Sequence, residues 1–565
     1  MRRSAPSRSV VRALSFVVVV SLVLSATFPA ALAASVSANG SAAVATASAG
    51  EAPQVNAPDD PEEDVIGWEN GYWYNESIDV DQSDGLSEAE TEAFVARSMA
   101  RVEYLREAEF NQTVPVEVIS RDEYRNSSGS ESTNTTEFDH WNDQVWEALF
   151  IVGESTGSSS ALGETTGSSV AGYYSPVDDE IKVITDDPDT PTVNNATLVH
   201  ELVHALQDQR YDLTDAAYRA DTQDGELAVD GVVEGEANYI EARYSQRCGD
   251  EWSCVKPAES GGSGSGADFN LGVYLTIFNP YSDGPVYVAD VVEERGWDGF
   301  ERRFRNPPNS TEQVIHVTDE EPVPIAFNST ARDGWQTYSS LGENGSDTAG
   351  EASIYAMFWY QAREYGADTV NPSGLFETTS EYDAYNYDAA PSAGWGNDRV
   401  FPYHNGTGED AGHGYVWVTE WDTESDATEF RETYVRILDA HDVEETEEGY
   451  YEIPDGSFAD TFAIEQNGTR VTVVNGPDAA AVSDIRPSLS PTNATTTTRE
   501  PTETETTAAD DTATREPTET EPTTTADPTT SETPTGAETT TTGAGFGFAV
   551  AALAVALAGL LARFR

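Results

Sequence analysis

Thr197-Leu-Val-His-Glu-Leu-Val-His-Ala-Leu-Gln-Asp-Gln209 is the stretch on which the reading of this chain turns. Leu198, Leu202, Ala205 and Gln209 recur at helical spacing, and no Gly or Pro interrupts them, so the segment predicts a helix. On that helix His200 and His204 lie four residues apart and stack on one face, where both imidazoles can reach one zinc ion. Glu201 projects beside them, placed to take a proton from water activated at the ion rather than to bind the ion itself.

Working outward, Gly172 to Ile184 predicts a β-hairpin with Ile181, Val183 and Ile184 in its second strand. Downstream, Gly225 to Ser245 predicts a second helix whose buried stripe is Val229, Val233, Ala237 and Ile240. Glu234, Asn238 and Glu241 share an adjacent face. A third ligand from this helix would complete a three-ligand catalytic zinc with one position open for water. Spacing alone admits Glu236 as well as Glu234.

These features together resemble the zincin peptidases, in which an edge strand beside the metal-binding helix pairs with the substrate backbone. Glu234-Gly-Glu-Ala-Asn-Tyr239 is similar to the glutamate-ligand helix of gluzincins such as the aminopeptidase group. The resemblance implies that Glu234 is the third ligand, with Glu236 as its rival, and that Asn238 braces a ligand histidine. His200 to Leu213, HELVHALQDQRYDL, resembles the HELTHALQDQ-type segment of uncharacterised bacterial and archaeal zinc peptidase-like proteins. Asn279 to Gly284 and Pro307 to His316 are similar to their Pro-Tyr-x-x-Gly and Pro-Pro-x-Ser-Thr-Glu-Gln elements. Gluzincins use a His or Tyr to stabilise the developing oxyanion, and the resemblance offers His316 for that role. A histidine after Val314-Ile315 reads equally as a residue at a strand end. Tyr239, Tyr281, Tyr403, His404 and His413 are further candidates.

Around the site, Ser87-Glu-Ala-Glu90 is a capping box opening a helix to about Phe110, and Val114 to Ile119 predicts a strand. Gly284 to Arg305 and Ser353 to Glu364 predict helices, the first broken near Gly296 and the second aromatic-rich core. Gly414 to Trp421, Ala427 to Leu438 and Thr469 to Val474 read strand, helix, strand. The fold expected is α+β: a zincin-like catalytic region over 61–480 with a small α+β lobe from about 410.

Composition sets the surroundings. Asp and Glu number 100 against 30 Lys and Arg, a net charge of -70, and Lys182 and Lys256 are the only lysines. Molar salt screens such self-repulsion, the Debye length falling to about 3 Å, so the balance implies adaptation to high salt. No basic stripe exists to release counterions from nucleic acid, which excludes that partner class. Cys248 and Cys254, the only two cysteines, read as one local disulfide in an exported chain.

Arg2, Arg3, Arg8 and Arg12, the apolar run Ala13 to Leu24 and Ala31-Leu-Ala33 have the order of a secretory signal peptide over 1–33. A flexible spacer follows over 34–60. Sequons including Asn75-Glu-Ser77, Asn328-Ser-Thr330 and Asn405-Gly-Thr407 suit glycosylation. Ser260 to Gly266 is a Gly/Ser-rich loop or lid. Residues 487–542 are Thr, Pro and Glu with almost nothing apolar, the composition of a disordered, O-glycosylated stalk. The tail over 543–565 resembles the C-terminal sorting signals of haloarchaeal surface proteins, which an archaeosortase cuts and replaces with a lipid anchor. Its family motif is Pro-Gly-Phe, whereas Ala544 precedes Gly545-Phe546 here. A retained membrane helix is the other reading. Ile66 to Arg125 and Gly414 to Gly476 also resemble a haloarchaeal surface-protein family. The expectation is a surface-anchored zinc peptidase acting on peptide or protein, dependent on export and sorting machinery. Its rival is a metal-binding surface glycoprotein without turnover.

Overall fold

Ser87 begins the first long helix by accepting from the backbone N–H of Glu90, whose carboxylate returns to the Ser87 N–H, so α1 runs Glu88–Arg106. The computed structural model describes residues 19–22, 58–127, 135–166, 170–185, 187, 190–255, 269–408, 411–446 and 449–489. The signal peptide apart from Val19–Leu22, the spacer before 58, the loop at 260–266, the stalk beyond 489 and the tail therefore lie outside the described residues.

After α1 come β1 (Val116–Ser120), α2 (Glu137–Ala148), β2 (Val170–Ser175) and β3 (Glu180–Thr185). The site helix α3 (Asn195–Tyr211) is followed by α4 (Gln223–Arg247), α5 (Leu271–Phe304) and the short α6 (Thr311–Ile315). The remainder is β4 (Gln336–Thr337), α7 (Gly350–Tyr360), β5 (Trp395–Asn405), β6 (Gly412–Trp421) and α8 (Glu424–Ala440). Four further strands close the chain: β7 (Glu444–Glu445), β8 (Tyr451–Glu452), β9 (Thr461–Asn467) and β10 (Arg470–Gly476). The fold is α+β.

β2 and β3 form the antiparallel hairpin that alternating Ile and Val predicted, and β1 adds to β3 in parallel. The strand directly upstream of α3 is thus interior to its sheet. β2 is interior as well, because Val19–Leu22 pairs antiparallel along its outer side, so the edge strand expected beside the site helix is not a strand of the hairpin. A second sheet runs β7-β8-β9-β10-β6-β5-β4, antiparallel throughout. The lobe expected from about 410 is therefore part of a larger sheet that starts at Gln336, because β5 pairs along β6 for its whole length.

Among the described residues two large cores stand beside a smaller one under the second sheet. Leu198, Val199, Leu202, Val203 and Leu206 of α3 pack with Val229, Val233 and Ile240 of α4 against α1 and the first sheet. Burying each such side chain contributes roughly 1.5–3 kcal/mol. Trp141, Val145 and Trp146 of α2, Tyr355 and Phe358 of α7, and Trp417 of β6 fill the other.

The fifth helix departs from expectation. It starts at Leu271 rather than Gly284, carrying Pro280 and Pro285 inside it and bending only at Gly296, where φ is +65°. Proline ordinarily argues against a helix interior. Here α4 backs the proline-bearing stretch at very close range: a Cβ on Gly235 would lie 2.6 Å from Gly284 backbone. Gly235 sits one residue after Glu234, so this approach also sets where Glu234 stands. Gly235→Ala should lower the unfolding free energy by about 1–3 kcal/mol through overpacking. Denaturant unfolding in molar salt measures it, and an unchanged midpoint would show that the glycine does not set the helix spacing.

Cys248 and Cys254 are joined as a disulfide at the end of α4. Among the described residues no helix is long and apolar enough to cross a membrane.

Candidate metal centre

Asn194 caps α3 by accepting from the Ala196 N–H, which fixes the helix phase that turns His200 and His204 inward. Both histidines are wholly buried, and their ring centroids are 4.7 Å apart. Glu234 reaches across from α4: its Oε2 lies 3.1 Å from His200 Nε2 and 3.5 Å from His204 Nε2. One ligand atom from each of the three lies within 4.8 Å of the other two. Glu234 Oε1 and His204 Nε2 are buried with no hydrogen-bond partner. Buried polar atoms are nearly always paired, and two imidazole nitrogens with one carboxylate are a donor set that zinc takes. The residues present fit such an ion.

The electrostatics agree. Burial pushes Glu234 upward, but the charges of His204 and His200 and the hydrogen bond from His200 prevail and hold it at about 2. Burial pushes His200 down, yet Glu234 and Glu241 outweigh it and raise the imidazole to about 10. Asp230, one turn before Glu234, is raised by burial and by the charges of Glu226 and Glu234. Carboxylates thus outnumber the positive partners in a dry interior, a demand that a divalent cation answers.

Glu201 is fully buried beside the cluster, and its Oε2 accepts from the backbone N–H of Tyr174 at 2.8 Å. Burial raises it to about 8, against the lowering charge of His200. Tyr174 lies on β2, so the carboxylate is fixed between the candidate metal ligands and that strand.

The rivals separate clearly. Glu236 turns away from the cluster, forming an ion pair with Arg106 and accepting from Gln207 Nε2 at 3.0 Å. Asn238 donates to the backbone carbonyl of Glu234 at 3.0 Å rather than to a histidine. The bracing expected of Asn238 is supplied for His204 by Gln207, whose Oε1 is 2.9 Å from His204 Nδ1, while Glu241 Oε2 stands 3.4 Å from His200 Nδ1, in ion-pair reach but short of hydrogen-bond geometry. Gln207 follows His204 by three residues and Glu241 follows Glu234 by seven, helical spacings that were available as a signal. Arg106 sits about 130 positions from Glu236 and left no such trace. Glu241→Ala should weaken zinc roughly 10–100-fold, since a carboxylate behind a ligand histidine fixes its tautomer and basicity. Competition against a chromophoric chelator reads this, and unaltered affinity would remove Glu241 from the site.

His316 is not at a strand end: it caps the C-terminus of α6 because Ser310 starts a short helix over Thr311–Ile315. Its Nε2 faces both oxygens of buried Glu351 at 3.0 Å, which raises the imidazole to about 9 against the effect of burial. Among the described residues no hydrogen bond or ion pair joins it to the histidine–glutamate cluster. Tyr239 stacks edge-on with Trp297 and Tyr382, and Tyr281 is buried on α5 beside Phe278. Tyr403, His404 and His413 belong to β5 and β6, where Tyr403 bonds Ser329 and His413 contacts Tyr338.

A domain family of unknown function, DUF8575, matches residues 336–486, the second sheet with its helices. The cluster on α3 and α4 lies outside that match. No curated protein and no solved structure matches the chain.

Proposed function

We propose that this chain is a zinc-dependent peptidase of gluzincin type. The observation that supports it most is the convergence of His200, His204 and Glu234 from two helices, with Glu201 held beside them against β2. A zinc ion bound there would supply Lewis acidity toward a peptide carbonyl and its attacking water.

The protein's own groups supply the rest. Glu201 lies against β2 and is not one of the three candidate ligands, so in this reading it accepts a proton from water and returns it to the leaving amine. β2 positions substrate: Val19–Leu22 occupies its outer edge antiparallel, Val20 opposite Tyr173, as an extended peptide would. Removal of a leader containing that strand would clear the edge for substrate. The signal peptide, stalk and C-terminal tail read from sequence place the enzyme at the cell surface under the same proposal.

The test is hydrolysis of a mixed peptide library by the purified chain in molar salt. Activity should vanish with a zinc chelator and return with stoichiometric zinc. One zinc per chain with no cleavage of any peptide would instead favour a metal-binding surface glycoprotein.

A further inference from the structure

Three arginines of α1 enter the interior, and they are not partnered alike. Arg106 meets Glu236 as an ion pair. Arg97 and Arg101, one turn apart on one face of the helix, are fully buried, and among the described residues neither forms an ion pair. A buried charge ordinarily has a charged partner. Acidic residues outnumber basic ones by 100 to 30 in this chain, so a carboxylate is the partner most readily at hand.

Neutral groups serve Arg101 on all three of its nitrogens. Its Nε donates to the Tyr74 carbonyl at 2.8 Å, Nη1 to the Tyr244 hydroxyl at 2.8 Å and Nη2 to the Ser253 carbonyl at 3.0 Å. The guanidinium also lies 4.5 Å from the centre of the Trp252 ring. Arg97 uses only Nη1, on the same Ser253 carbonyl at 3.0 Å. Its Nε and Nη2 are buried with no hydrogen-bond partner. These two nitrogens form one edge of the guanidinium plane, with parallel N–H bonds, and that edge is the fork that holds an anion through two hydrogen bonds. Two like charges thus share one carbonyl oxygen, and the fork of one of them has donors and no acceptor. Burial pulls Arg97 down to about 10, Tyr244 opposing the fall and Arg101 adding to it, so the group stays charged at neutral pH.

We propose that the Nε–Nη2 edge of Arg97 binds a small monovalent anion of the halide class, chloride in the salt that the acidic composition calls for. One negative charge there would offset two buried positive ones at short range. A phosphate would bring further oxygens that each need a donor, and the neighbouring Arg101 has its nitrogens already engaged.

The ion would hold distant segments together. Trp252 and Ser253 belong to the loop that the Cys248–Cys254 disulfide closes, so an anion on Arg97 would fix that loop to α1. Arg101 carries the effect further. The Tyr244 hydroxyl that accepts from it donates to Asn195, the first residue of α3, at 3.0 Å. Binding at Arg97 needs neither zinc nor turnover, so stability and occupancy report it directly.

The test places the purified full chain in sodium chloride and in sodium gluconate, whose anion is too large for a buried fork, at equal molar concentration so that screening is held fixed. As chloride replaces gluconate, the melting temperature should rise with the logarithm of chloride concentration, the form that binding to the folded state gives. Arg97→Met removes both donors and should abolish that dependence. Arg97→Lys keeps the charge without the fork and should weaken chloride binding about tenfold. Wild-type crystals soaked in bromide should show anomalous scattering against Arg97 Nε and Nη2, a reading that requires no variant to fold. A melting temperature equal in chloride and gluconate, an equal chloride response in wild type and Arg97→Met, or bromide absent from Arg97 would each overturn the site.

Discussion

Glu201→Gln should leave one zinc bound per chain and lower peptide hydrolysis by about 10²–10⁴-fold, the range typical of a lost general base. The reasoning is geometric. Glu201 is not one of the three converging ligand groups, so the metal has no need of its charge. Glutamine keeps the shape of the side chain, and its carbonyl oxygen can still accept from the Tyr174 N–H that Glu201 Oε2 accepts from now. What it cannot do is take up a proton from water. Metal content by atomic emission, beside cleavage rates in molar salt, separates the two effects. Full activity in this variant would sink the mechanism, and loss of zinc would mean that Glu201 belongs to the ligand set.

The second large effect divides two glutamates that stand two residues apart. Glu234→Ala should lose stoichiometric zinc on dialysis while the chain stays folded, because it removes the one carboxylate that both imidazoles share. Glu236→Ala should keep the zinc and lose stability instead. It strips Arg106, a fully buried guanidinium, of its buried ion-pair partner. Breaking a buried pair in that way costs about 3–5 kcal/mol. The lower end is expected, because Tyr211 still accepts from Arg106 at 3.2 Å and the Trp297 ring lies 4.2 Å from its guanidinium. Glu236 also holds Gln207, which braces His204, so zinc affinity should slip by up to about tenfold. Zinc analysis and denaturant unfolding of both variants give the result. Zinc retained in Glu234→Ala and lost in Glu236→Ala would move the ligand by two residues.

Local pattern carried the sequence a long way. Capping at Ser87, the Ile181–Ile184 alternation and the uninterrupted run from Leu198 to Gln209 each depend on neighbours within a few positions, and each produced the element expected. The pairing of His200 with His204 is of the same kind, since a helix repeats every 3.6 residues and so places i and i+4 on one face.

Wherever the deciding contact was distant in sequence, only the tertiary structure could speak. The helix expected from Gly284 begins at Leu271 and carries Pro280 and Pro285 inside it, with Gly235 of α4 closely approaching Gly284. The choice between Glu234 and Glu236 was open on helical spacing and rested on Arg106, which arrives from α1. His316 found Glu351 on α7 rather than the metal cluster. Both strands of the hairpin proved interior, a matter of Val19–Leu22 joining β2 and β1 joining β3. Sequence thus determined the helix that carries both histidines and the acidic balance of the chain, because both are properties of neighbours or of composition. The glutamate that meets the histidines, the residues that contact them from behind and the orientation of the sheet toward them were decided by packing between segments up to about 130 residues apart, where no local periodicity reaches.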